Sequence, residues 1–275
     1  MIDIILIALN DEVNIENMLR SLKGDSSYNK LIVVDGGSTD NTVKIAKKHT
    51  NSVYVSDKGM DKQTSFGLRY VDSEYIFLAE CDHIYPKNFL RNLLEELKST
   101  NWDAIQGTLD VRSPKTIWEW GHKQFYKVHQ YKKGVRSIIA CPQLWKKDSF
   151  LALMKKLSGG ETYCFDTQRA EVAKNLGLVV GIGKTKAFED QEIKFKKFLR
   201  RHINYGNGDY NFYSQNSPNW SLKRKLVSIT HPAKRYLLEY PSKVLAYRLN
   251  PLSIPYLWLI ALVRYSGWIK SLLKI

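Results

Sequence analysis

The strongest constraint on the fold is an apolar, β-rich run, Leu31–Val34, that ends abruptly in Asp35 and the turn-forming residues Gly36 and Gly37. A second run of the same kind, 75–79, ends in the acid-rich sequence Glu80-Cys81-Asp82. In open α/β sheets the carboxyl ends of parallel strands meet at one edge, where ligands bind. The sequence therefore predicts a crevice lined by carboxylates, suited to a sugar nucleotide and a metal ion.

Strand and helix patterns alternate through the first hundred residues. Short apolar runs predict strands, and apolar residues at helical spacing, such as Ile15, Met18 and Leu19, predict the helices between them. This alternation favours an α/β fold with a Rossmann-like, mostly parallel sheet flanked by helices. The predicted strands are 2–8, 31–34, 53–55, 75–79, 104–109, 137–140 and 178–182. The predicted later helices are 116–131, 148–157 and 166–176, the last ended by Gly177.

Positive charge is concentrated at the C-terminal end of the sequence. The net charge is +15, and residues 194–275 hold 15 lysines and arginines against two acids, Asp209 and Glu239. Such an imbalance indicates an anionic partner, either a membrane or a nucleic acid, or else a basic face in contact with water.

Apolar C-terminal residues favour the membrane as that partner. Residues 252–263 are mostly apolar but interrupted by Pro255, and a helical face follows that holds Tyr265, Trp268, Ile269, Leu272 and Leu273. Aromatic and apolar faces beside lysines are typical of helices that lie among lipid headgroups, although two helices packed on the domain give the same pattern. No uninterrupted apolar stretch reaches the ~18 residues of a spanning helix.

The N-terminus and the cysteines bear on the compartment. Residues 1–8 are apolar but lack a basic region, so they predict a first strand rather than a signal peptide. Cys81, Cys141 and Cys164 are widely spaced and form no CxxC motif. They predict neither a disulfide framework nor a zinc site, and a reducing, cytosolic setting fits them best.

Several polar residues at the predicted strand ends have chemistry suited to a nucleotide sugar. We expect Asp82 to hold a divalent ion and Glu80 to touch the ribose or a metal-bound water, unless the pair forms a solvated turn. Asp35 can accept hydrogen bonds from a base or a ribose, or cap its own glycine turn. Asn10 and Glu12 would line the same crevice or cap a helix. His83, His122 and His129 show no metal-ligand spacing, and we assign them no role.

Three segments in combination resemble family 2 glycosyltransferases of the GT-A fold over about residues 2–210. The segments are Ala8–Glu12, Val34–Thr42 and Phe77–Asp82. The resemblance implies a nucleoside diphosphate sugar donor, Mg²⁺ or Mn²⁺ as cofactor, and inversion at the anomeric carbon. It assigns Asn10, Glu12 and Asp35 to the nucleoside, and Asp82 to the metal.

The resemblance also implies a catalytic base and a phosphate grip. The family commonly places an acidic pair before a helix that ends in glycine; here Asp166 matches the second acid and Phe165 replaces the first. Asp166 is therefore the predicted base. The alternative is that Asp166 only stabilises the helix, because the helix dipole favours an acid at the N-terminus. Arg200 and Arg201 would grip the donor diphosphate or an acceptor phosphate, or form a solvated helix face.

One departure concerns the metal. Phe188 stands where such sequences often carry a histidine near the metal, which leaves Glu189 or Asp190 as a substitute third ligand.

Taken together, these observations predict a GT-A domain over 1–215 and a helical, membrane-associating extension over 216–275. The predicted protein is a peripheral glycosyltransferase of the inner membrane face that acts in cell-envelope glycan or glycoprotein synthesis. Its acceptor would be a glycan or a lipid-linked molecule such as a polyprenyl phosphate or a lipid-linked saccharide. The alternatives are a basic nucleic-acid-binding protein, against which the leucine- and tryptophan-rich tail argues, and an inactive scaffold.

Overall fold

The computed structural model of the chain describes residues 1–137, 139–157, 165–190 and 192–273. They divide into two units. The first, which we call the sheet unit, comprises Met1–Arg112, Lys133–Glu161 and Phe165–Gln191. The second, the helical unit, comprises Ser113–Lys132, Thr162–Cys164 and Glu192–Ile275.

The sheet unit is built on one mixed sheet, to which the described residues contribute nine strands. The strand order is β3-β2-β1-β4-β8-β6-β9-β5, with β7 paired to β9. Strands β3, β2, β1 and β4 run parallel, whereas β8 pairs antiparallel with both β4 and β6. The strands are β1 (Ile2–Ala8), β2 (Tyr28–Asp35), β3 (Val53–Val55), β4 (Tyr75–Ala79), β5 (His83–Ile84), β6 (Ala104–Val111), β7 (Gly134–Arg136), β8 (Gln143–Lys146) and β9 (Val180–Glu189).

Helices connect these strands and make up the helical unit. The α-helices of the sheet unit are α1 (Ile15–Leu22), α2 (Thr42–Ala46), α3 (Met60–Gly67), α4 (Phe89–Lys98), α6 (Lys147–Lys156) and α7 (Phe165–Asn175). Those of the helical unit are α5 (Ile117–His129), α8 (Phe195–Asn216), α9 (Leu222–Ala233), α10 (Tyr240–Ala246) and α11 (Ser253–Leu273). A π-helical turn, Lys234–Glu239, joins α9 to α10. The predicted α/β fold with C-terminal helices is confirmed.

The parallel strands are apolar because helices cover both faces of this part of the sheet. Asp3 is the polar exception in β1, and its carboxylate is fully enclosed. It accepts hydrogen bonds from the backbone N–H groups of Asp72 (2.7 Å) and Ser73 (2.8 Å) and from Asn29 Nδ2 (3.2 Å). Burial acts to raise the pKa of Asp3, but these hydrogen bonds outweigh it and the pKa lies below its ordinary value.

The predicted strand at 137–140 is wrong. Strand β7 ends at Arg136 and β8 begins at Gln143, while residue 138 lies outside the described residues. Ala140 donates its backbone N–H to Oε1 of Gln106 at 2.8 Å. The partner of this N–H is therefore a side-chain oxygen and not the carbonyl of a neighbouring strand.

The predicted interruption of the C-terminal helix is also wrong. α11 continues past Pro255 because this proline lies in the first turn, where a backbone N–H has no partner within the helix. Arg264 lies within the same helix, and its Nη2 pairs with Oδ2 of Asp209 at 2.7 Å. Among the described residues, no helix is long and apolar enough to cross a lipid bilayer.

Glycines bring α8 and α11 into close contact within the helical unit. A Cβ atom added to Gly206 would lie 1.9 Å from the carbonyl oxygen of Arg264, and one added to Gly267 would lie 2.2 Å from that of Ile203. Each helix therefore has a glycine in direct contact with the backbone of the other helix. Because of this packing α8 belongs to the helical unit. The domain boundary at 215/216 stays a prediction.

The chain from Leu222 to Ala246 is one continuous helical run, which we call the 222–246 segment. Pro232 lies within its first part and lacks a backbone donor. Beside it, the hydroxyl of Tyr265 donates to the Ile229 carbonyl at 2.7 Å and accepts from the Ala233 N–H at 3.3 Å. The hydroxyl thus replaces one helical hydrogen bond, an insertion that bends helices.

The sequence predicts that Tyr265 and Trp268 lie on one exposed face of α11. In the structure both side chains contact neighbouring helices instead. The Trp268 ring stands edge-on to Tyr210 of α8, with ring centroids 5.3 Å apart. These two residues pack between helices of the helical unit, whereas Ile269, Leu272 and Leu273 of the predicted face are exposed. The membrane association of this face stays a prediction.

Candidate functional site

The carboxyl ends of β2, β1 and β4 lie side by side, as the sequence predicts. Ala8 pairs with Asp35, and Leu6 pairs with Ala79. The residues that follow each strand are therefore neighbours at one edge of the sheet.

Asp35 is buried, and its carboxylate caps its own turn. Oδ2 accepts hydrogen bonds from the backbone N–H groups of Gly37 (2.8 Å) and Ser38 (2.7 Å), and Oδ1 accepts one from the Ser38 hydroxyl. This is the alternative use that the sequence leaves open. Its contact with a nucleoside stays a prediction, which the unused lone pairs of the carboxylate permit.

The loop after β1 is fastened to the loop after β2. Asn10, held at a positive φ of 53°, accepts a hydrogen bond from the Thr39 N–H at 2.9 Å and donates its own N–H to Ser38 Oγ at 2.8 Å. Glu12 Oε2 accepts from the Asn41 backbone N–H at 3.0 Å. Asn10 and Glu12 thus position the loops, and their contact with the nucleoside stays a prediction.

A buried glutamine, which the sequence analysis does not single out, hydrogen-bonds to the ends of both β1 and β2. The Gln63 Nε2 group donates to the carbonyl oxygens of Ala8 (3.0 Å) and Val34 (2.8 Å). Both amide hydrogens are thereby used, and the ends of the two strands are held at a fixed spacing.

Glu80, Asp82 and His83 form a group that could hold a metal ion. One ligand atom from each lies within 4.8 Å of the others. The His83 Nε2 atom is 3.6 Å from Glu80 Oε2 and 3.6 Å from Asp82 Oδ1. The sequence assigns His83 no role, but the structure places its buried ring beside the two acids, just after strand β4.

The electrostatics of this group suit a cation. Burial and the charges of Asp82 and Asp166 raise the pKa of Glu80 to about 7, against the opposing effect of His83. Burial also raises the pKa of Asp11, and the nearby charge of Asp82 adds to that shift. A raised pKa means that the ionised form of a carboxyl group is unfavourable in its surroundings. A bound cation stabilises that ionised form.

Asp166, at the start of α7, is oriented by a glutamine of β8. Gln143 Nε2 donates to Asp166 Oδ1 at 3.2 Å, and Gln143 Oε1 accepts from Trp145 Nε1 at 2.8 Å. Burial raises the pKa of Asp166, while the charge of Arg169 and the hydrogen bond from Gln143 partly oppose this. A carboxylate with a raised pKa is a stronger proton acceptor than an exposed one.

Glu189 and Asp190, the predicted substitutes for a third metal ligand, have other surroundings. Glu189 pairs with His83 across the β5–β9 ladder. Asp190 donates its N–H to the Asp82 carbonyl at 2.7 Å, and its Oδ2 accepts from Asn17 at 3.3 Å. Of the part of the chain that the structure describes, only the Glu80, Asp82 and His83 side chains meet as a three-ligand group.

Arg200 and Arg201 lie on α8 of the helical unit. Arg200 is exposed, and Arg201 Nη1 lies 3.0 Å from His122 Nε2. Their contact with a donor or acceptor phosphate stays a prediction.

A family model described as glycosyl transferase family 2 matches residues 3–170. The chain belongs to glycosyl transferase family 2. The matched span holds Asn10, Asp35, the Glu80–Asp82–His83 group and Asp166. The predicted resemblance is thereby confirmed, and with it the assignment of the chain to a family of sugar-transferring enzymes.

Two curated relatives match parts of this family 2 chain. The uncharacterized protein MJ0544 of Methanocaldococcus jannaschii is 34% identical over 115 residues, which are 38% of this chain and 49% of that protein. The SPbeta prophage-derived glycosyltransferase SunS of Bacillus subtilis is 31% identical over 86 residues, 30% of this chain and 20% of that protein. The matched stretches thus span about half or less of these relatives.

Solved structures establish the fold. Glucosyl-3-phosphoglycerate synthase from Mycobacterium tuberculosis, in complex with Mn²⁺ and UDP-glucose, is 14% identical with a TM-score of 0.56, covering 79% of this chain and 78% of that one. TarS 1-349 of S. aureus, in complex with UDP-GlcNAc, is 14% identical with a TM-score of 0.51, covering 98% and 81%.

Proposed function

We propose that this chain is an inverting glycosyltransferase that moves a sugar from a nucleoside diphosphate sugar to an acceptor. The observation that carries the proposal is the Glu80–Asp82–His83 group at the end of a parallel strand, close enough to Asp166 for the two to interact electrostatically. The Mn²⁺ and UDP-glucose present in the synthase structure support the same class of ligands here.

The donor set of the group fits Mg²⁺ or Mn²⁺. Two carboxylates and one imidazole supply few protein ligands, which leaves room for the phosphate oxygens that such ions bind in transferases. The ion would supply the positive charge that stabilises the leaving nucleoside diphosphate. Asp82, Glu80 and His83 would hold it, while Asn10, Glu12 and Asp35 contact the nucleoside.

Asp166 is our candidate for the base. In an inverting transfer the acceptor oxygen attacks the anomeric carbon from the side opposite the departing diphosphate, and its proton passes to a nearby group. Gln143 would hold the Asp166 carboxylate for that proton. An acceptor that is already an anionic phosphate would need orientation more than deprotonation.

We further propose a lipid-linked acceptor, such as a polyprenyl phosphate or a lipid-linked saccharide, met at the cytoplasmic face of a membrane. The support is the charge of residues 194–275, which hold 15 basic residues against two acids. Arg200 and Arg201 suit an acceptor phosphate, because a guanidinium group binds phosphate through two hydrogen bonds.

A screen of nucleotide sugars for thermal stabilisation, with and without Mn²⁺ or Mg²⁺, tests the proposal. We expect one donor to raise the melting temperature only with the ion, by the equivalent of about 2.7 kcal/mol at a hundredfold excess over Kd. The same donor should then support transfer to a lipid-linked acceptor. Stabilisation by RNA or DNA, with none by any nucleotide sugar, would favour the nucleic-acid alternative.

Replacing Gln143 by methionine should change the pH dependence of transfer. The variant removes a hydrogen bond that stabilises ionised Asp166, so the pKa of Asp166 rises further and the acidic limb of kcat/KM moves to higher pH. We expect kcat near neutral pH to fall about tenfold while KM for the donor changes little.

The matched control is Gln106→Met, another buried glutamine, which pairs with Gln143 across β6 and β8. This variant should lose stability through its bond to Ala140 without moving the acidic limb. Identical pH profiles for the Gln143→Met variant and the wild type would contradict the positioning role of Gln143.

A further inference from the structure

The 222–246 segment has both buried and exposed apolar residues. Its inner side packs into the core of the helical unit through Tyr236, Tyr240 and Val244. Its outer surface, where it faces water, holds six exposed apolar residues, which we call the outer row: Leu222 (74% exposed), Leu226 (54%), Val227 (48%), Leu237 (38%), Leu238 (65%) and Leu245 (64%). A helix that faces water on its outer side is polar there, so a partner for this row is expected.

The same segment is strongly basic. It contains six lysines and arginines, among them Lys223 and Lys234, and one acid, Glu239. Because two copies would bring like charges together, self-association through this row is disfavoured. A nucleic acid would match the charge but would leave the leucines without an apolar partner. An anionic lipid bilayer satisfies both properties.

We infer that the outer side of the 222–246 segment is a docking surface for an anionic membrane, with its leucines at the level of the acyl chains and its lysines among the headgroups. The inference deepens the proposed function, on which its biological meaning rests, by naming the contact. It assigns the contact to this segment rather than to the face of α11 that the sequence suggests. On that face Ile269, Leu272 and Leu273 are exposed, but Trp268 packs against Tyr210.

Vesicle flotation tests the inference without reference to sugar transfer. The wild-type chain should float with vesicles of phosphatidylglycerol and phosphatidylcholine in equal parts, stay unbound with phosphatidylcholine alone, and be released by salt. Leu226→Gln and Leu238→Gln should each lower the partition coefficient about tenfold, since a leucine side chain loses its apolar surroundings. Lys223→Gln should lower it about fivefold.

Two comparisons locate the contact. Val135→Gln makes the same kind of change at an exposed position of the sheet unit and should leave flotation unchanged. Leu262→Gln makes the same kind of change at an exposed position of α11. If Leu262→Gln abolished flotation and Leu226→Gln did not, the assignment of the contact to the 222–246 segment would be overturned. Wild-type protein that never floats, or that forms a dimer which Leu226→Gln dissociates, would also overturn it.

Nucleotide-sugar stabilisation needs no vesicles and therefore reports separately on the proposed function. Circular dichroism and melting temperature should be unchanged in all these variants, because the substituted side chains are exposed.

Discussion

Asp82→Asn should lower the rate of sugar transfer by about a thousandfold, since the charge stabilisation that a bound ion gives a leaving group is worth several kcal/mol. The substitution keeps the size of the side chain but removes the negative charge beside Glu80 and His83. The affinity for Mn²⁺, measured by calorimetry with the donor absent, should fall together with the rate.

Asp72→Asn is the matched control. It makes the same change at an exposed acid that pairs with Lys30, and we expect wild-type rates from it. Both variants should keep the wild-type melting temperature in metal-free buffer. An Asp82→Asn variant with undiminished transfer and undiminished Mn²⁺ affinity would refute the metal site.

Gly206→Ala should destabilise the helical unit by about 2 kcal/mol or more. Alanine in place of glycine within a helix normally gains about 1 kcal/mol. Here, however, the new Cβ would lie 1.9 Å from the Arg264 carbonyl oxygen, a backbone atom that cannot rotate away. The helices must separate, and overpacking of this kind costs about 3 kcal/mol. Urea denaturation would measure the difference.

Ser214→Ala, at an exposed position of the same helix, controls for helix propensity and should change the free energy of unfolding by less than about 0.5 kcal/mol. Gly267→Ala meets the Ile203 carbonyl at 2.2 Å and should behave as Gly206→Ala does. If either glycine variant were more stable than the wild type, the close contact of α8 with α11 would be disproved.

The parallel part of the fold is predictable from the sequence because strands covered on both faces are continuous apolar runs, as in 31–34 and 75–79. The antiparallel insertion of β8 between β4 and β6 is not, since pairing between distant segments leaves no local pattern. Similarly, the sequence does not predict α11 as one helix, because the place of Pro255 in a first turn and the pairing of Arg264 with Asp209 depend on the tertiary structure.

Some candidate site residues are likewise predictable from the sequence, whereas others are not. Acids that follow apolar strands, such as Glu80 and Asp82, are visible in the sequence because the strand end fixes their place. His83 is missed because its position beside the two acids depends on the pairing of β5 with β9. Gln63 and Gln143 are missed because a glutamine inside a strand or helix gives no sign of which distant group its amide will contact.

The amide of Gln63, bound to the last carbonyl of β1 and the next-to-last carbonyl of β2, has a consequence for the energetics of ligand binding. The loops after β1 and β2 have already lost their conformational freedom when the chain folds, so a nucleoside that binds there pays no further ordering entropy on that side. Heats of binding for nucleosides and for whole nucleotide sugars would then differ by the contacts of the phosphates and the sugar, without a contribution from rearranging loops.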